Sequence, residues 1–80
     1  MRIDKFLKSS RIIKRRTVAK EACEQGRVLI NDRVSKPGDD VKVGDIVQVK
    51  FGSGIMKLKV LKLMDNAGKD EASTLYEIIE

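Results

Sequence analysis

The sequence has no histidine and no tryptophan, and it has one cysteine and one proline. A lone thiol without any imidazole excludes a disulfide framework, a thiolate or imidazole metal centre and histidine-based catalysis within one chain. Aromatic residues number three, Phe6, Phe51 and Tyr76. Each falls at an apolar position of its segment, so base stacking on aromatic platforms is not expected. No apolar run approaches the ~18 residues of a membrane-spanning helix. The charged start Met1-Arg2-Ile3-Asp4-Lys5 offers no hydrophobic signal region. These absences point to a cytoplasmic protein with no metal, no cofactor and no membrane partner. At 80 residues the chain is read as a single domain, 1–80, with a thin core.

Charge is what the sequence has in quantity. Lys and Arg total 17 against 12 Asp and Glu, a formal net charge of +5. Its distribution is more informative than its sum. Residues 1–20 hold eight cations (Arg2, Lys5, Lys8, Arg11, Lys14, Arg15, Arg16 and Lys20) and a single anion, Asp4, whereas residues 21–80 hold nine cations and eleven anions. The first quarter of the chain thus carries more than the whole positive excess. Segregation of this kind is the electrostatic footprint of a site for a polyanion.

The spacing of residues 2–10 is helical, with Ile3, Phe6, Leu7 and Ser10 on one arc and Arg2, Lys5 and Lys8 on the other. A second helix is predicted from Arg15 to Gln25, burying Val18, Ala19, Ala22 and Cys23, with Gly26 as the left-handed residue that ends it. Arg16 and Lys20 are four apart and project from one edge. Beyond Gly26 the period changes to two. Arg27–Ile30 and a weak second element at Val34–Lys36 flank an Asn31-Asp32-Arg33 hairpin turn. Ile46–Phe51 and Ile55–Leu63 are strands joined at Gly52-Ser53-Gly54. In the first, Val47, Val49 and Phe51 share a face; in the second, the alternation slips at Leu61-Lys62-Leu63. Asp65–Ser73 reads as a loop or one helical turn, and Leu75–Ile79 as a closing strand. The fold class is α+β, with two N-terminal helices packed on a small antiparallel sheet.

Catalytic groups are scarce. The paired acids Asp39-Asp40 and Asp70-Glu71 lie in turn-rich, polar sequence with nothing apolar to shift a pKa. The Gly52-Ser53-Gly54 segment lacks the Lys and Ser/Thr of a phosphate loop. Cys23 is read as a small core residue. The cationic segment therefore carries the function. Arginine donates parallel hydrogen bonds to phosphate and stays charged, and the shortage of exposed aromatics favours recognition of a folded RNA by shape. A DNA-binding regulator that places its second helix in a groove, and an accessory subunit of an RNA-modifying enzyme, remain open alternatives.

The segments Arg2-Ile3-Asp4-Lys5-Phe6-Leu7, Arg16-Thr17-Val18-Ala19, Gly26-Arg27-Val28-Leu29-Ile30-Asn31, Lys36-Pro37 and Val43-Gly44-Asp45-Ile46-Val47 resemble the RNA-binding domain named after ribosomal protein S4. This core motif spans 1–51, with C-terminal strands expected over 55–80. The Lys14-Arg15-Arg16-Thr17 run and the compact length resemble its small ribosome-associated members, the heat-shock-protein-15 and quality-control relatives. The resemblance implies an αL-type fold. It implies a non-enzymatic factor that binds rRNA and peptidyl-tRNA on obstructed large ribosomal subunits, beside a tRNA-recruiting protein, and supports C-terminal tailing of the stalled chain. It assigns the principal RNA contacts to Arg2 and Arg16, supported by Lys14, Arg15, Lys20 and Arg11, with Lys5 and Lys8 on the same basic segment. Asp4 is expected to orient a neighbouring arginine. Asp32 stands where the family has Gly, and Arg15 where many members have Ser. A monomer is expected.

Overall fold

The computed structural model describes residues 1–79. Helix α1 runs Ile3–Ser9 and α2 runs Arg16–Glu24. Strands β1 (Val28–Ile30), β2 (Arg33–Val34), β3 (Ile46–Phe51) and β4 (Gly54–Val60) follow. A single helical turn, α3 (Lys69–Ala72), then leads into β5 (Tyr76–Ile78). The strands form one sheet in the order β2-β1-β3-β4-β5, antiparallel throughout. The α+β class and the helix-then-sheet order agree with the sequence pattern. Both helices are one residue shorter at each end than their periodicity suggested.

The period-2 alternation decides what the sheet buries. Val28, Val47, Val49, Leu58 and Val60 point to one side and are fully or almost fully buried. Against them α1 places Ile3, Phe6 and Leu7, all at zero exposure. Each such side chain contributes about 1.5–3 kcal/mol on leaving water. Helix α2 adds only the small Ala19 and Cys23, which lets the two helices approach closely. Val18, expected on that buried face, is 46% exposed. It sits one residue, about 100°, off the narrow Ala19–Cys23 stripe, and a nine-residue helix packed by small residues has no wider buried face.

Local chemistry ends each element. Gly26 has φ +74 and closes α2: its N–H donates to Cys23 O, and the Arg27 N–H donates to Ala22 O, the paired bonds of a Schellman motif. Asn31 and Asp32 both have positive φ, 50 and 67, the signature of a type I′ turn. Asp32 thus takes a left-handed position that Gly would occupy without steric cost. Strand β4 stops at Val60 because the Leu61 and Lys62 N–H groups both donate to Leu75 O, breaking the alternation. Phe51 continues the Val47–Val49 face but ends β3 at the hairpin and is 41% exposed, so its apolar position does not bury it.

Candidate nucleic-acid interface

The start of the chain is clamped before α1 begins. The Ile3 N–H donates to Asp39 O, the Val41 N–H donates to Met1 O, and Arg2 forms an isolated bridge with Asp40. The terminal ammonium donates to Asp40 Oδ1 at 2.6 Å. That contact holds the Asp40 carboxyl below the ordinary carboxylate range. Arg2 is thereby fixed in extended backbone at the N-cap of α1.

Asp4, two residues further on, is 1% exposed and is shared between the two helices. Its Oδ1 accepts from Arg2 Nε at 3.2 Å and its Oδ2 from Arg2 Nη2 at 3.1 Å. Arg16 Nη2, from the first residue of α2, lies 3.5 Å from Oδ1. The two arginine side chains remain 52% and 45% exposed. One buried carboxylate thus aims two guanidinium groups that stay open to solvent, and Asp4 has the orienting role expected of it. Arg2, Asp4, Arg16, Thr17 and Lys20 line one shallow concavity. Two cations around one anion, with Lys20 added, leave it net positive.

A second concavity lies at the other end of α1, about 10 Å away at 1.5 Å per residue. Lys8, Ser9, Arg11, Lys14, Asn66 and Ala67 line it. Ser9 builds it: its hydroxyl donates to Met64 O and accepts from the Ala67 N–H, pinning the 64–67 loop to the helix. Arg11 and Asn66, from the two sides, both take positive φ. The chain passes from this concavity to the first through Lys14, Arg15 and Arg16, with Arg15 exposed at the N-cap of α2.

All eight candidate residues thus lie along the helical layer. Lys5 differs, being half-buried with its Nζ 3.2 Å from Asp65 Oδ1. Among the described residues Lys8, Arg11, Lys14, Arg15 and Lys20 enter no ion pair. Thr17, Asn66 and Ala67 were not predicted as lining residues. Thr17 was legible beside Arg16, but the 64–67 loop carries no sequence signal for its place against α1. Cys23 is buried beside the Ser35 hydroxyl, and burial raises its pKa, as suits an inert core thiol. A larger concavity lies elsewhere, lined in part by Asp39, Asp40 and Asp45. There Asp39 and Asp45 already accept the Lys36 and Lys42 N–H groups, and their carboxylates serve as turn caps.

A helix pair with clustered cations, followed by a short β-hairpin against the same layer, defines the class: the chain belongs to the S4-domain family, whose sequence model matches residues 1–47. More particularly, it is 51% identical over 78 residues to the RQC P-site tRNA stabilizing factor of Halalkalibacterium halodurans, covering 98% of this chain and 89% of that protein. It is 49% identical over 80 residues to the factor of the same name from Bacillus subtilis, covering 100% of this chain and 93% of that one. Among solved structures, the heat shock protein 15 of Vibrio cholerae, described as trimeric, superposes with a TM-score of 0.91 at 30% identity, over 98% of this chain and 80% of its own. No helix among the described residues is long and apolar enough to cross a membrane.

Proposed function

We propose that this chain is an RNA-binding factor of ribosome-associated quality control. In this role it binds large-subunit rRNA and the peptidyl-tRNA of obstructed large ribosomal subunits in the cytoplasm. It works beside a protein that recruits tRNA and supports C-terminal tailing of the stalled nascent chain. It acts by binding and holding, with no reaction of its own, and 1–80 serves as one RNA-binding domain. The observation that carries this reading is the convergence of Arg2 and Arg16 on buried Asp4. Arg2 gives Asp4 two of its five N–H donors, so three remain to meet phosphate or ribose oxygens. The carboxylate fixes both forks before RNA arrives, which lowers the side-chain entropy lost on docking. Lys20, Lys14, Arg15 and Arg11 extend the positive field along the helices, with Lys8 and Lys5 at its margin. The names of the relatives, which stabilise P-site tRNA, support the tRNA half of this assignment.

Sedimentation and substitution test it. A tagged copy should co-migrate with free large subunits on a sucrose gradient, and co-migration with small subunits would refute the assignment. Binding to a structured rRNA fragment should show a slope of log K against log salt near −4, as expected for about five neutralised phosphates. Arg16→Ala should weaken that binding by roughly 1–3 kcal/mol, the scale of a lost charged hydrogen bond. Wild-type affinity in that variant would remove the arginine pair from the site.

A further inference from the structure

Outside residues 1–20 the chain is net negative by count, yet the sheet's outer face is cationic. Strand register shows how. The Lys50 N–H donates to Arg27 O, and Lys50 pairs with Ile55, which makes one row across the sheet. Val34, Leu29, Gln48, Lys57 and Ile79 make the next, and Ile46, Lys59 and Glu77 the third. These residues alternate with Val28, Val47, Val49 and Leu58, which are buried against the helices, so they point away from α1 and α2. Arg27, Lys50 and Lys59 are exposed and Lys57 is half-buried.

Among the described residues two acids reach this face. Glu77 lies opposite Lys59 on the β5 edge, and Asp32 accepts from Gln48 Nε2 at 2.9 Å. Among the described residues neither closes an ion pair with the four cations. Arg27 stands directly across from Lys50, with Lys57 on the diagonal. Like charges so placed destabilise a sheet unless something neutralises them. The exposed Val34 and Ile79 lie at the two edges of the sheet and Ile55 at the hairpin end, while Gln48, Lys57 and Lys59 occupy the middle. The face lacks the continuous apolar centre that anchors a protein partner, and lysine is depleted in protein interfaces. Lys57 and Lys59 are two strand residues, roughly 7 Å, apart on flexible stems, an arrangement for point-charge contact with successive phosphates rather than for reading bases.

We propose that the outer face of the sheet, through Arg27, Lys50, Lys57 and Lys59, is a second RNA-backbone surface, so that one chain holds two RNA segments, one on the helices and one behind the sheet. This rests on the helical face being an RNA site, and the two can fail separately.

The test uses the full chain and a structured RNA hairpin in separate donor-labelled and acceptor-labelled pools. Wild type should bring both labels into one complex at a stoichiometry of two hairpins per chain. The triple variant Lys50→Gln, Lys57→Gln, Lys59→Gln should keep its circular dichroism spectrum and fall to one hairpin. Its salt slope for total RNA uptake should be smaller by about 3, roughly 1 per lost phosphate contact. The double variant Arg2→Ala, Arg16→Ala should instead lose the other hairpin and keep the sheet-bound one. A triple variant with wild-type stoichiometry and slope overturns the second surface. So does one that binds hairpins normally but no longer sediments with large subunits, which would assign the face to an acidic protein. A double variant without effect, beside a triple variant that loses RNA, would overturn the helical site and leave the sheet site standing.

Discussion

Arg11 and Arg15 occupy two backbone positions to which arginine is poorly suited. Arg11 follows the C-cap of α1 at φ 61, a left-handed position that glycine takes without steric cost. Arg15 is the N-cap of α2, extended and with no side-chain hydrogen bond into the first turn, where Ser, Thr, Asp or Asn would accept one. We expect Arg11→Gly to stabilise the fold by about 1 kcal/mol, and Arg15→Ser by about 0.5–2 kcal/mol. Both should weaken RNA binding and flatten its salt dependence by about 1 each. Thermal melts paired with salt titrations check this, and a variant that gains stability without losing RNA would detach that arginine from function. Asp40 supplies a pH prediction at the same scale. Its folded-state pKa is lowered by the terminal ammonium. Its contribution is therefore complete above the ordinary value of 3.8 and is lost as pH falls through the lowered one. Asp40→Asn should remove that part of the acid-denaturation profile and leave the neutral-pH fold intact, as read by circular dichroism across the acid range.

Among the elements, those with local signals were legible and those fixed by distant contacts were not. Gly26 marked the end of α2 because only a left-handed residue fits there, and Asn31-Asp32 marked the β1–β2 turn because both tolerate positive φ. The slip after Val60 was visible in the alternation, although its cause, two N–H groups sharing Leu75 O, comes from the residue before β5, fifteen positions on. Val18 misled because hydropathy does not report how wide a buried stripe a short helix has. The arginine pair around Asp4 could be read from its being the single acid in a basic segment. The second concavity could not, because it depends on Ser9 meeting a loop 55 residues away. That contact makes a testable claim. Ser9→Ala removes the partner of both Met64 O and the buried Ala67 N–H, and should cost about 1–3 kcal/mol in chemical unfolding. Wild-type stability would mean that water replaces the hydroxyl.

For the molecule as a whole, charge is sorted by direction rather than by sequence alone. Cations lie along the helices and behind the sheet, and the acids Asp39 and Asp45 cap turns. A chain of 9.0 kDa and net charge +5 repels its own copies, and light scattering at micromolar concentration should return the mass of a monomer. A mass near three chains would instead match the assembly described for the Vibrio cholerae relative. The Ser9 clip has one more consequence, for the order of events during synthesis. The first helix of the nascent polypeptide emerges early, but its hydroxyl has nothing to grip until residues 64 and 67 have also left the exit tunnel. The second concavity is therefore completed later than the first, whose lining comes from residues 2–20 alone.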